Sequence, residues 1–107
     1  MKARRRRGSE VALIEGLILP REDANLRTLW KAFPQGTTWL RVGKRSRHVT
    51  RFRHKQYSGR LRLEWWGRAL RFSVEEPDSS GRIAGAFLGH VQRHGQTTVE
   101  RIEFEFR

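Results

Sequence analysis

Arginine and lysine side chains recur at every second position in the middle of this chain, a pattern suited to binding phosphate groups. Arg51, Arg53 and Lys55 alternate along one run, and Arg45 and Arg47 precede them at the same spacing. In a β-strand, residues two apart lie on one face, roughly 6–7 Å from each other. Because phosphates repeat along a nucleic-acid strand at a similar distance, such a row of guanidinium groups could follow a phosphate backbone.

The positive charge of the chain is concentrated around this row. Residues 24–63 contain eleven Lys and Arg but no Asp or Glu, and the whole chain has a net charge of +12. Charge of one sign weakens folding by self-repulsion unless an anion compensates it, and nucleic-acid phosphates attract Lys and Arg through counterion release. We therefore predict a small, non-catalytic module that binds DNA or RNA. The candidate contacts are Arg4, Arg5, Arg6, Arg7, Lys44, Arg45, Arg47, Arg51, Arg53, Lys55, Arg60, Arg62 and Trp66.

Trp66 is the aromatic residue best placed to stack on a base. It alternates with Arg60 and Arg62, whereas its neighbour Trp65 alternates with the apolar residues of the same run. Proteins that bind single strands combine a basic groove with rings on which bases stack. Trp66 is therefore predicted to lie on the basic side of its strand, and Trp65 on the core side.

A small ribonuclease is the second hypothesis. Ser58-Gly59-Arg60-Leu61 through Val74-Glu75, followed by Phe87-Leu88-Gly89-His90, resembles the terminal hairpins of RelE-type ribonuclease toxins. Those are small basic proteins that cut messenger RNA on the ribosome, so the resemblance implies an RNA substrate. Histidine beside Lys or Arg can cleave RNA by general acid–base chemistry, and His54 or His90 would act beside the basic surface.

A structural adaptor is the third hypothesis, since an Arg-rich surface also suits an acidic protein partner. The chain has no cysteine, which excludes disulfides and thiolate metal sites, and we predict no metal or other cofactor. The apolar run at residues 11–19 is too short to span a bilayer. We expect a cytoplasmic protein without a membrane association. An exposed terminal strand would allow a homodimer.

Hydrophobic periodicity predicts an α+β fold. We expect a mostly antiparallel, twisted sheet of five to seven strands, with a small curled barrel as the alternative. One helix is predicted at residues 21–33, with Glu22 and Asp23 in its first turn. Period-two alternation predicts strands over the rest, including residues 83–91, where Gly85 and Gly89 suggest either a sharp bend or a group packed close to the backbone. Residues 1–8 are predicted to be a flexible basic arm, and residues 9–107 a single globular domain.

Overall fold

Six strands and two helices make up the part of the chain that the structure describes. The structure, a computed structural model, describes residues 12–35, 38–44, 46–77 and 81–106. The elements in chain order are β1 (Ala12–Pro20), α1 (Arg27–Ala32), a 3-10 turn (Phe33–Gln35), β2 (Trp39–Arg41), β3 (Val49–His54), β4 (Arg60–Trp66), β5 (Ala69–Glu76), α2 (Arg82–His94) and β6 (Val99–Phe106). The predicted basic arm at residues 1–8 lies outside the described residues.

The strands form one open antiparallel sheet in the order β2-β3-β4-β5-β1-β6. β2 to β5 are consecutive neighbours, and β1 then pairs with both β5 and β6. The α+β prediction is confirmed, whereas the barrel alternative is wrong because β2 and β6 are the two edges of the sheet. Gly16 allows β1 and β6 to approach closely, since a Cβ there would clash with the carbonyl oxygen of Glu103.

Both helices pack on one face of the sheet and form the core there. The helical side chains of Leu29, Ile83 and Phe87 are buried against Phe52 and Phe72 of the sheet. Because side chains alternate along a strand, every second residue of β3, β4 and β5 points away from this core. Those residues form the open face, a name we use for the sheet surface opposite the helices. Most of them are exposed or half-buried.

The first helix is shorter than the sequence predicted. α1 begins at Arg27, so Glu22 and Asp23 precede it and do not lie in its first turn. The Arg68 guanidinium donates hydrogen bonds to the carbonyl oxygens of Arg21, Glu22 and Ala24, at 3.1, 3.0 and 2.6 Å. These carbonyls are therefore satisfied by a side chain from the β4–β5 turn, and not by a helical hydrogen bond.

The strand predicted at residues 83–91 is wrong, because this segment lies within α2. Ile83, Phe87 and Val91 are spaced by four residues, and all three are buried. A spacing of four fits one face of a strand and also one face of a helix, so periodicity alone does not separate the two. Gly85 is accordingly exposed on the helix and does not bend a strand.

A buried carboxylate holds the beginning of α2. Glu76, at the end of β5, is 1% exposed. Its Oε1 accepts a hydrogen bond from the Gly81 N–H at 2.9 Å, and its Oε2 accepts from the N–H groups of Ile83 at 2.5 Å and Ala84 at 3.0 Å. These donors would otherwise have no helical partner. With 13 residues, α2 is the longest described helix, and no helix in the described ranges is long and apolar enough to cross a membrane.

Candidate nucleic-acid interface

Four arginines form a compact block on the open face. β3 and β4 pair so that Arg51 lies opposite Arg62, and the same register places Arg53 beside Arg60. Neighbouring strands lie roughly 5 Å apart, and alternate residues along a strand roughly 6–7 Å apart. The arginine block, defined as Arg51, Arg53, Arg60 and Arg62, is therefore a two-by-two arrangement of cations on adjacent strands.

Most of the positive charge in the arginine block is uncompensated by described residues. Arg62 forms an ion pair with Glu64, with an Nη1–Oε1 distance of 2.8 Å. Arg60 donates a hydrogen bond to the neighbouring Gly59 carbonyl oxygen at 3.2 Å, which satisfies a donor without neutralising charge. Arg51 and Arg53 are exposed, and no described carboxylate forms an ion pair with either of them.

The opposite end of the open face is acidic. Glu15 of β1 lies across from Ser73 of β5 and from Glu105 of β6, and Glu103 follows on the same side. Glu103 forms an ion pair with Arg101 at 2.8 Å. The open face thus has a basic half on β3 and β4 and an acidic half on β1 and β6. An extended polyanion would be attracted to the first and repelled by the second.

Trp66 adds an aromatic surface to the basic half. It lies on the open face with 55% of its surface exposed, while Trp65 points to the opposite side and packs against the core, as the alternation predicted. The Cζ atom of Arg71 lies 5.1 Å from the centroid of the Trp66 ring, in a cation–π contact. Arg71 lies on β5, across from Glu64 of β4, and it extends the basic surface by one strand.

The predicted continuous row of Arg45, Arg47, Arg51 and Arg53 is not one strand face. β3 begins only at Val49, and a turn at Ser46 interrupts the strand before it. The Ser46 hydroxyl oxygen accepts hydrogen bonds from the N–H groups of Val49 at 2.9 Å and His48 at 3.3 Å. Serine side chains favour such local turns over a ladder. Arg45 itself lies outside the described residues.

Arg47 instead lines a groove on the helix side of the sheet. This groove, of about 1320 Å³, lies between α1 and a wall formed by Arg41 and residues 46–48, with β3 and β4 at its base. The groove is lined by Asn25, Arg27, Trp30, Lys31, Pro34, Arg41, Ser46, Arg47, His48, Thr50, Phe52, Trp65, Gly67 and Arg68. The predicted site is therefore divided between two surfaces on opposite sides of β3.

The remaining predicted contacts lie at the margins of these surfaces. Lys44 is exposed in the segment between β2 and β3, and Lys55 is exposed directly after β3. The predicted contacts Arg4, Arg5, Arg6 and Arg7 lie outside the described residues.

The two histidines of the ribonuclease hypothesis lie on the helix side of the sheet and not on the open face. His54 is 7% exposed, and its Nδ1 accepts hydrogen bonds from the N–H groups of Gln56 at 3.0 Å and Tyr57 at 3.3 Å. Burial lowers the pKa of His54. Burial, together with the nearby charges of His94 and Arg93, lowers the pKa of His90 to about 4. Among the described residues, no group of three His, Cys, Asp or Glu could hold a metal ion.

Several candidate contacts were missed by the sequence analysis. Arg27 and Lys31 are four residues apart on α1, a spacing that places them on one side of a helix and could have identified them. Arg71 lies in the region of balanced charge, and only the strand pairing brings it beside the arginine block. Arg41 carries an alternation signal, but its proximity to α1 follows from tertiary packing alone.

No family model, curated protein or solved structure matches this chain.

Proposed function

We propose that this chain is a nucleic-acid-binding module that contacts the phosphate backbone through the arginine block. The observation that carries the proposal is the pairing of Arg51 with Arg62 on an uncovered sheet face. Like charges on directly opposite residues destabilise a sheet. Glu64 compensates Arg62, but no described carboxylate pairs with Arg51, so an external anion between the two arginines would relieve their repulsion. Arginine suits this role because its planar guanidinium group can bind a phosphate through two parallel hydrogen bonds.

The surroundings of the arginine block support a polymeric anion. The cations lie in two rows, with Trp66 and Arg71 beside them. Glu75 of β5 lies across from Arg60, and the acidic half of the open face on β1 and β6 lies beyond it. A strand lying along β3 and β4 would meet several cations in succession and could place a base on Trp66. A homodimer remains an expectation because β6 is an edge of the sheet, where a second copy could pair. A cytoplasmic location also remains an expectation from the sequence.

The salt dependence of binding tests the electrostatic part of the proposal. Fluorescence anisotropy with a labelled single strand and a labelled duplex would give the affinity over a range of salt concentrations. Four neutralised phosphates should give a slope of log affinity against log salt of about −3. The Arg51→Ala/Arg53→Ala variant should bind more weakly, with a slope shallower by about 1.5.

A matched variant removes the same charge elsewhere. Arg93 at the end of α2 and Arg101 on β6 are both exposed and distant in topology from the arginine block. Arg93→Ala/Arg101→Ala should leave the salt slope within about 0.5 of the parent value, because neither residue contacts the strand in this proposal. Equal losses from both double variants, or a flat salt dependence, would contradict it. Salt-sensitive binding of polyglutamate without binding of either nucleic acid would favour the acidic-protein adaptor.

A further inference from the structure

The groove on the helix-covered face of the sheet lies between two cationic walls. Arg27 and Lys31 of α1 form one wall, and Arg41 and Arg47 contribute to the other. All four are exposed, and none forms a hydrogen bond or ion pair through its side chain with a described residue. Arg68 also lines the groove, but its guanidinium is bound to three carbonyl oxygens. Four unpaired cations therefore face a single space.

None of the described residues that line the groove is acidic. Lysine and arginine side chains are hydrogen-bond donors only, so the walls offer donors and positive charge to a ligand. An occupant must supply acceptors and negative charge, as a phosphate group does. The volume of about 1320 Å³ is larger than a simple anion needs and leaves room for a second chemical group beside the phosphate.

Two indole rings at the base of the groove suggest what that second group is. Trp30 of α1 and Trp65 of β4 have ring centroids 5.3 Å apart with a tilt of 36°. Both are only partly buried against the core, although both are lining residues. Exposed indole surface next to cations is the combination on which nucleotide bases stack in single-strand binders.

An unpaired hydroxyl at the base of the groove is an independent indication of a ligand. Thr50 of β3 is 3% exposed, and its Oγ1 has no hydrogen-bond partner among the described residues. Buried hydroxyl groups nearly always have a partner, because leaving one unpaired is unfavourable. Thr50 lines the groove, where a ligand could supply the missing hydrogen bond.

We propose that the groove binds a nucleotide unit, with its phosphate between the two cationic walls and its base against Trp30 and Trp65. The nucleotide could be free or part of a single strand, since both present the same phosphate and base. This inference does not rest on contacts made by the arginine block, because the two surfaces lie on opposite sides of the sheet.

The test is calorimetric titration with adenosine 5′-monophosphate, inorganic phosphate and a single-stranded hexanucleotide. Lys31→Ala/Arg41→Ala removes one cation from each wall and should weaken binding of the mononucleotide by about tenfold or more, the usual loss for hydrogen bonds to charged groups. Arg93→Ala/Arg101→Ala is the matched control with the same loss of charge, because both residues are exposed and neither lines the groove or belongs to the arginine block. It should change the affinity for the mononucleotide by less than about twofold.

A second variant probes the groove without changing its charge. Thr50→Val keeps the side-chain shape and removes the unpaired hydroxyl, so the melting temperature should stay unchanged or rise. Affinity for the mononucleotide should fall by about threefold to tenfold, the value of one hydrogen bond. Unchanged affinity in both Lys31→Ala/Arg41→Ala and Thr50→Val would overturn the inference.

The three ligands distinguish the possible sources of the nucleotide. A hexanucleotide that binds much more tightly than the mononucleotide, and that loses affinity in the Lys31→Ala/Arg41→Ala variant, would support a single strand as the ligand. Equal affinities would support a free nucleotide. Inorganic phosphate binding as tightly as the mononucleotide would overturn the inference, because the base would then contribute nothing. Failure to bind the mononucleotide, with the salt slope of the arginine block intact, would overturn this inference and leave the proposed function standing.

Discussion

Removing the Glu76 carboxylate should destabilise the protein strongly, because this buried group satisfies the beginning of α2. Three backbone N–H groups donate to it at 2.5–3.0 Å, and it is 1% exposed. Hydrogen bonds to a charged group contribute about 1.5–3 kcal/mol each, although losses of neighbouring bonds do not add fully. We therefore expect Glu76→Ala to lower the free energy of unfolding by about 4 kcal/mol.

Glu76→Gln should have a smaller effect. Its single carbonyl oxygen can keep the two bonds from Ile83 and Ala84, whereas its NH₂ group would face the Gly81 N–H, a donor against a donor. A loss of about 2 kcal/mol is expected, which lowers the urea midpoint by about 1.5 M for a small domain. Urea unfolding followed by far-UV circular dichroism gives the free energy of unfolding of both variants. If Glu76→Ala does not fold, the effect can still be measured with Glu76→Gln.

Glu75→Gln is the matched control for this series. Glu75 is exposed on the adjacent position of β5, and its side chain points to the open face. The same change of charge should alter the free energy of unfolding by less than about 0.5 kcal/mol. If the free energy of unfolding of Glu76→Ala stays within about 1 kcal/mol of that of the parent protein, water satisfies the three N–H groups. The hydrogen bonds to Glu76 would then not be what stabilises the beginning of α2.

Two further predictions concern Trp66 and His90. Trp66→Ala should cost about 1–3 kcal/mol of single-strand affinity in a binding assay. It should cost less than about 1 kcal/mol of stability, because the side chain is 55% exposed and its contact with Arg71 is a surface cation–π contact; unchanged affinity would exclude stacking there. Burial lowers the pKa of His90 to about 4, so at a pH above 6.5, the pKa in the unfolded chain, this histidine is neutral in both states and does not destabilise the fold. As the pH falls from 6.5 towards 4, the unfolded chain takes up a proton that the folded protein does not, and stability is lost. Urea unfolding at several pH values should show a loss of about 1–2 kcal/mol from His90 over that range, after allowance for solvent screening. His90→Gln should remove this part of the pH dependence and leave the part due to His54, whose pKa is also lowered by burial; an unchanged pH dependence in the variant would contradict the assignment.

The sequence by itself determined the faces of the central strands. Alternation in β3 and β4 places Phe52 and Leu61 in the core and Arg51 and Arg62 opposite them, because the direction of a side chain along a strand is a local property. The apolar face that runs from α1 into the 3-10 turn follows for the same reason, since Leu29 and Phe33 recur at helical spacing. The exposure of Trp66 also required a second condition, that no described element covers the open face.

Tertiary structure alone decided the features that depend on distant partners. The spacing of Ile83, Phe87 and Val91 fits both periods, and burial of that face on the sheet, with Glu76 at its beginning, made the segment a helix. Pairing of β3 with β4 turned separate arginines into a block, and the turn at Ser46 moved Arg47 to the groove. A local pattern specifies which way a side chain points, but the choice of its neighbours is made by packing between segments far apart in the chain.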